Sequence, residues 1–537
     1  VAGLAAAFGS GAMTNSFAEL EEAKCIFAIG TNTTVAHPVG SMRLMRAKAN
    51  GAKLIVVDPR RTQIASLADI HVQHNLGSDV ALLNGIMHVI YKNGWHNQEF
   101  IEERTENFED LVKVIEDYPP ERASEISGVP VETITQVAQW YATSEASAIC
   151  YVLGITQHCC GTDNVKNLAN LAMLCGHIGR PSTGVNPIRG QNNVQGACDM
   201  AALPNVLPGY QYITVPETIE KFEKAWGAKL SATPGLTLVD QIEAILAGKI
   251  KGLVVFGANP LVSYPDLNRV EQALKSLEFL LTLDIFPTAT TDLSHVVLPA
   301  ASFAETNGTY SNSERRVQRV RQAIEPIPGK ENWETIQELS TRLGYPMAYA
   351  SPEEIFDEMA SLTPAFAGMS YPRLSEKGLC WPCPTPDHPG TQYLHKDRFS
   401  RGLGHFHAIP YIPPAEGPDQ EFPFWLTTGT IFTQYLTGTM TRRCYSLHHE
   451  NPEVFVEMNP QDAVRLHMEE GEEIEAQTRR GDIKVKVLLS ERVKPGVVFI
   501  PLHYVENAAN RLTNAALDPA TKTPEYKVCA VSLKKVA

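Results

Sequence analysis

The sequence predicts a multi-domain α/β protein that closes with a small β-barrel domain. Three observations predict it. Apolar strands ending at glycine or at a charged residue alternate with helical stretches through the first half of the chain. The pattern starts twice, at residues 24–38 and at 250–260, each time as apolar strand, glycine, asparagine and proline. From Phe424 the texture changes to short alternating strands separated by Gly471, Gly481 and Pro495. At 537 residues the chain is too long for one core. The expected segments are a first α/β domain at 1–191, a second at 192–320, a helical or irregular covering segment at 321–420 and the barrel domain at 421–537.

In the first α/β domain, residues 24–30 and 53–61 read as strands, and 41–50 between them as a helix stopped by Gly51. Strand, helix and strand at this spacing form a βαβ unit. Ligands of open parallel sheets bind at the carboxyl ends of the strands, which puts Gly30, Asn32, Asp58, Arg60 and Arg61 on a binding edge. An acid at such a place accepts hydrogen bonds from a ribose or a purine, or else caps the loop before Pro59. The glycine-rich dinucleotide fingerprint is absent. Residues 70–75 read as a strand and 77–90 as a helix, with Ser78 or Asp79 expected to accept from its first-turn amides. The same helix start, at Gly77, suits a phosphate. Residues 97–143 read as helical, 148–156 as a strand and 162–175 as a helix.

The run Gly-Val-Asn-Pro-Ile-Arg-Gly-Gln-Asn-Asn-Val-Gln-Gly-Ala-Cys-Asp at 184–199 sets one arginine among amides and glycines. Its polarity argues against an ordinary core helix or strand. Its glycines allow close backbone approach, and Arg189 offers a planar fork of donors for a carboxylate or phosphate. In the second α/β domain, 252–256 reads as a buried strand, 266–277 as a helix, and 279–285 and 295–300 as strands. Arg315, Arg316 and Arg319 read as a solvated helix face. Residues 365–420 are rich in Pro and Gly and read as cover and linker. In the last domain the loops 427–430 and 438–443 are polar enough to hold a phosphate or a pterin.

Composition narrows the function. Hydrophobic content of 44% and charged content of 20% are those of a globular chain. The net charge of -14 argues against nucleic-acid binding, and no apolar run reaches membrane-spanning length. Ten cysteines are too sparse for a disulfide scaffold. Cys159 and Cys160 are adjacent, Cys380 and Cys383 form a lone CxxC, and Cys150, Cys175, Cys198, Cys444 and Cys529 read as buried thiols. His158, His177, His295 and His503 lack metal-ligand spacing and read as local hydrogen-bonding residues.

Taken together, the chain resembles the catalytic subunit of formate dehydrogenases that carry molybdenum or tungsten on a bis-pterin guanine dinucleotide. The resemblance rests on Val-Asp-Pro-Arg at 57–60, the run at 184–199, Leu-Pro-Ala at 298–300 with Glu305 and Asn307-Gly-Thr, Thr-Gly-Thr-Met-Thr-Arg-Arg at 437–443, and the stretches at 510–514, 517–520 and 522–527. It implies two Rossmann-like parallel-sheet domains around the cofactor and a six-stranded, double-psi-like barrel that caps it. Gly30, Asn32, Asp58, Arg60, Gly77 and Asp79 match positions around one guanine dinucleotide, and Gly257, Asn259, Asp284, Glu305 and Asn307 match the cofactor surroundings of the second domain. Thr428, Gly429, Arg442, Asn510 and Lys527 match positions near the pterins or phosphates. Arg189 matches the arginine taken to bind formate, with Gln191 beside it as a catalytic-loop residue and Asn192 toward the cofactor.

The family also has a four-cysteine segment for a [4Fe-4S] cluster, and a metal-ligating cysteine or selenocysteine followed by histidine. The match places all of these upstream of Val1; none of the ten cysteines fits the ligand, so no metal-ligating residue is assigned here and the chain alone is expected to be inactive. The resemblance implies reversible formate oxidation to carbon dioxide, cytoplasmic location, and electron transfer to iron-sulfur partner subunits such as a diaphorase or hydrogenase module. A cytoplasmic nitrate reductase and a cofactor-free structural homologue are the alternatives; the polar strand ends oppose the second.

Overall fold

The computed structural model describes residues 1–536. Two compact units are formed: one from residues 1–188, 260–270 and 393–537, the other from 189–259 and 271–392.

The first unit holds a five-stranded sheet. Its strands are β1 (Cys25–Ile29), β2 (Lys53–Val57), β3 (Ile70–Val72), β4 (Ser147–Tyr151) and β5 (Gly184–Pro187). They lie in the order β3-β2-β1-β4-β5, with every pair parallel. Successive side chains of a strand point to opposite faces, and both faces here are buried. Phe27, Ile29, Ile55, Val57, Ile149 and Tyr151 enter one core with Leu82, Ile86 and Leu171. Ile26, Ala28, Leu54, Val56, Ala148 and Cys150 enter another with Leu44 and Ile64. That is why the strands read as continuous apolar runs rather than alternating ones. The covering helices are Pro38–Ala49, whose proline sits in its first turn, Asp79–Lys92 and Gly161–Leu174.

The same unit contains the barrel. Its strands are β6 (Phe424–Gly429), β7 (Phe455–Met458), β8 (Glu473–Gln477), β9 (Asp482–Leu489), β10 (Val497–Pro501) and β11 (Cys529–Lys535). They close in the order β6-β10-β7-β9-β8-β11 with parallel and antiparallel pairs mixed. Along β9, Ile483, Val485 and Val487 fill the interior while Asp482, Lys484 and Lys486 face out. Closure leaves no free edge. Glu457 on β7 has a side chain with no exposed surface. Its carboxylate accepts from Arg60 Nε at 2.6 Å and from Arg492 Nε at 2.5 Å. The Arg60 guanidinium also lies 4.0 Å from the Phe499 ring centre. The barrel is thereby tied to the carboxyl edge of the first sheet.

The second unit has a three-stranded parallel sheet of Gly252–Phe256, Phe279–Asp284 and Val296–Pro299, with Phe279–Asp284 in the middle. It also has an antiparallel sheet of Gly308–Ser311, Arg316–Val320 and Leu379–Cys380.

Several expectations are corrected. The strand expected at 148–156 ends at Tyr151, and a helical turn follows at Leu153–Thr156. Ser78 makes no helix cap; its hydroxyl donates to the Asn75 carbonyl instead. The run at 184–199 does contain regular structure, because its first four residues pair with β4 and its last six, Val194–Asp199, form a helix. Strand Gly252–Phe256 forms but is only partly buried: Val255 faces the core, while Val254 is 45% exposed and Phe256 47%. The arginines at 315–319 are not a helix face. Arg315 is fully buried and donates to the carbonyls of Thr391 and Gln392 at 3.0 and 3.1 Å, and to that of Trp381, while Arg316 and Arg319 lie on a strand. Cys444 is exposed and Cys198 half-buried, whereas Cys150, Cys175 and Cys529 are buried as expected. The four histidines make local hydrogen bonds: His158 to the Gly154 carbonyl, His177 to that of Tyr141, His295 with the Leu280 amide and His503 with the Ile431 amide.

Glu457→Ala would leave two arginines facing each other without a counter-charge. Removing one partner of a buried ion pair costs about 3–5 kcal/mol. A thermal melt of the variant is expected to show its first transition lowered by several degrees, and an unchanged melt would show that the pair does not hold the barrel.

Candidate functional site

Each unit carries the same local arrangement at the carboxyl edge of its parallel sheet. In the first, β1 ends at Gly30, whose φ is +56°. A Cβ there would stand 2.7 Å from the Gly154 backbone carbon, so both space and conformation require glycine. The Gly30 amide donates to the Val57 carbonyl at 2.9 Å. Asn32 follows, its Oδ1 accepting from Thr34 Oγ1 at 3.0 Å. In the second unit Gly257 has φ +59°, and its amide donates to the Leu283 carbonyl at 2.8 Å. Asn259 Oδ1 accepts from Thr290 Oγ1 at 2.8 Å. The neighbouring strand ends at an acid in both. Asp58 accepts from the Arg60 amide at 2.9 Å, and Asp284 from the Ile285 amide at 2.7 Å. The repeat visible in the sequence is a repeat of geometry.

At the first edge the chain collects buried groups that it does not satisfy. Thr31 Oγ1, His74 Nδ1 and His158 Nδ1 are buried without a hydrogen-bond partner. Asp58 keeps some surface, yet loss of water pushes its carboxyl up to about 6, against the pull of the Arg60 amide and of His74. Lys527 is in a similar position, with burial pulling its ammonium down to about 8 while Asp58 opposes the shift. Lys527 Nζ donates to the Thr428 carbonyl at 2.6 Å, and Thr428 Oγ1 to the Tyr526 carbonyl at 2.8 Å. Asp79 differs: burial would raise it, but His74 Nε2 at 3.1 Å wins and its carboxyl lies below the usual range.

Of the residues singled out in the sequence, Gly30, Asp58, Thr428 and Lys527 therefore come together, and Asp79 joins them through its ties to His74 and Asp58's neighbourhood. Gly77 has φ +72° at the turn before helix Asp79–Lys92. Gly429 is the last residue of β6, and its carbonyl accepts from the Leu502 amide. Arg60 is engaged by Glu457 rather than offered to a ligand. Arg442 grips both oxygens of Glu506 at 2.8 and 2.6 Å, and its Nε is buried without a partner. Asn510 is spent on the Val262 carbonyl. Glu305 accepts from the Ser302 and Ile327 amides, and Asn307 bonds Gln322 and Glu331, so both order their own loop. Sequence reasoning missed Thr31 and His74; neither lies in a recognisable spacing.

In the second unit Arg189 lies in the loop before helix Val194–Asp199. Its amide donates to Ser313 Oγ at 2.9 Å, and its Nε to Gln195 Oε1 at 2.8 Å. Its Nη2 is buried without a partner. Gln191 is half-buried and Asn192 exposed. Among the described residues no group of three or more His, Cys, Asp or Glu side chains is placed to hold a metal ion, and no helix is long and apolar enough to cross a membrane.

Residues 3–342 match the family model described as Molybdopterin oxidoreductase, and residues 424–530 the one described as Molydopterin dinucleotide binding domain. The F420-dependent formate dehydrogenase subunit alpha of Methanocaldococcus jannaschii is 49% identical, over 100% of this chain and 80% of its own length. Formate dehydrogenase H of Escherichia coli is 38% identical, over 100% and 76%. The assimilatory nitrate reductase catalytic subunit of Bacillus subtilis is 35% identical, over 97% and 76%. Acetylene hydratase from Pelobacter acetylenicus shares the fold, with a TM-score of 0.78 at 20% identity over 100% of this chain and 80% of that one.

The shifts of Asp58 and Lys527 give a pH signature. A raised Asp58 destabilises the ligand-free fold as pH climbs from its ordinary value toward 6, and a lowered Lys527 releases its own penalty only above 8. Both penalties are present between pH 6 and 8. Asp58→Asn is expected to leave the chain as stable or more stable in a thermal melt at pH 7. A variant destabilised at pH 7 would contradict this account of Asp58.

Proposed function

The chain belongs to the molybdopterin oxidoreductase family as a catalytic subunit of the formate dehydrogenase kind, and from that premise we propose that Arg189 receives formate for oxidation to carbon dioxide. The observation that carries the proposal is the state of that guanidinium. One nitrogen is fixed by a neutral amide, another is buried with no protein partner, and Arg189 makes no ion pair among the described residues. A buried donor left open costs free energy unless something accepts from it. A planar monoanion with two oxygens fits that need.

The cofactor reading rests on the groups gathered at the carboxyl edge of each parallel sheet. Asp58 suits the N–H edge of a guanine, and Lys527, with the backbone around Thr428 and Gly429, suits a phosphate or pterin oxygen. Gly30 lets the backbone approach closely. In the second unit Gly257, Asn259 and Asp284 repeat the arrangement, which supports a second guanine dinucleotide. The bound metal–pterin group supplies the two-electron acceptor.

The net conversion takes formate to carbon dioxide with release of one proton and two electrons. Arg189 holds the carboxylate and fixes the direction of the C–H bond, and its field favours the anion over water. The electrons leave toward iron-sulfur partner proteins in this reading, and a [4Fe-4S] cluster belongs to the same proposed route. Nitrate is also a planar anion, and a side-by-side assay of formate oxidation and nitrate reduction separates the two; formate is favoured by the greater identity to formate dehydrogenase subunits.

Arg189→Lys keeps the charge and loses the fork. The complete enzyme with this change is expected to show a formate KM raised by about tenfold or more, equivalent to roughly 1.4 kcal/mol of lost binding. Unchanged KM and kcat would remove Arg189 from the site.

A further inference from the structure

Behind Arg189 stands a chain of buried polar side chains that the formate reading does not use. Gln195 and Asp199 lie four residues apart on helix Val194–Asp199, hence on one face, and are 1% exposed each. The Gln195 carbonyl oxygen accepts from Arg189 Nε at 2.8 Å. Its amide nitrogen donates to Asp199 Oδ1 at 2.8 Å and to the Tyr210 hydroxyl at 2.7 Å. Asp199 Oδ2 accepts from Trp381 Nε1 at 3.1 Å. With acceptors on both sides of its nitrogen, the Gln195 amide has one satisfied orientation, and that orientation turns its oxygen to Arg189.

The choice of an amide at 195 has an electrical consequence. A carboxylate at the same distance would pair with the guanidinium, cancel its charge and satisfy it. The amide holds the fork in place and leaves the charge whole. Asp199, the acid of this cluster, stands on the far side of Gln195, and its carboxylate is held by Gln195 and Trp381 with Ser311 and Tyr210 also hydrogen-bonded to it. From this arrangement we infer that Gln195 and Asp199 are positioning residues that aim Arg189 while keeping its charge uncompensated, so that the chain binds a small monoanionic carboxylate there. Tyr210 and Trp381 lock the relay from behind. The inference rests on the formate reading of Arg189 and adds to it what makes that arginine a receptor rather than a structural ion pair.

The test uses the complete enzyme and two readouts, formate kinetics and the rate at which phenylglyoxal modifies Arg189, followed by mass mapping of the peptide with and without formate. In the unaltered enzyme, formate is expected to slow the modification. Gln195→Glu places a carboxylate beside the fork. It is expected to slow modification without formate present and to raise the formate KM about tenfold, with kcat within about threefold. Gln195→Leu keeps the volume and removes the aim. Modification is then expected to proceed at least as fast as in the unaltered enzyme, with kcat falling more than KM rises. This split between charge and aim is not what general loosening of the fold would give. If Gln195→Glu does not accumulate as folded protein, Asp199→Asn serves in its place: it frees the Gln195 amide to turn, and the aim-type loss in kcat is expected. Variants that match the unaltered enzyme in KM, kcat and modification rate, while formate still protects Arg189, would overturn the relay and leave the formate reading standing. Failure of formate to protect Arg189 in the unaltered enzyme would overturn the formate reading itself.

Discussion

The Glu457 carboxylate, shared between Arg60 and Arg492, is the interaction on which the first edge depends. Arg60 stands two residues beyond Asp58, and Glu457 lies on a barrel strand. Fixing one to the other brings the acid at the end of β2 and the lysine that precedes β11 into one neighbourhood, where burial outweighs the attraction between them. A folded chain does not hold an acid and an ammonium in low dielectric without a compensating gain. Here the gain comes from the ion pair beside them and from the large cores of the sheet and barrel. The site is an edge where satisfaction has been withheld and the surroundings are rigid enough to keep it so.

The second unit follows the same principle with another chemistry. Arg189 is steadied by a neutral amide at Nε, and its Nη2 is buried without a partner. Among the described residues no acid pairs with it, while Arg316, an arginine with no place in the site, does have its acid in Glu314 at 2.8 Å. The contrast separates a charge used to hold the fold from a charge kept for a ligand. It also explains why the polar run at 184–199 resists reading as an ordinary loop: it holds a strand and a helix, and the turn between them carries that guanidinium.

Much of this was legible in the chain. The strand–Gly–x–Asn repeat and the strand-end acids at 58 and 284 follow from period and composition, and they appear as paired geometry. The barrel was legible as alternating strands such as Ile483, Val485 and Val487. Its closure was not, since β6 and β11 pair across about a hundred residues and carry no local signal. Arg60 looked like a ligand residue because its partner, Glu457, lies 397 positions away. Arg315 looked solvated because nothing nearby in sequence reveals the carbonyls of Thr391 and Gln392. Gln195 and Asp199 show their helical spacing, but Tyr210 and Trp381, which make that spacing matter, are remote in sequence.

The most direct measurement is diffraction from the complete enzyme with azide, a linear monoanion that competes for the formate position. The account predicts density for the anion within hydrogen-bond distance of Arg189 Nη2, with the Gln195 oxygen still on Nε. An anion bound elsewhere, or a guanidinium that in the complete enzyme is paired with a carboxylate of its own chain, would contradict it.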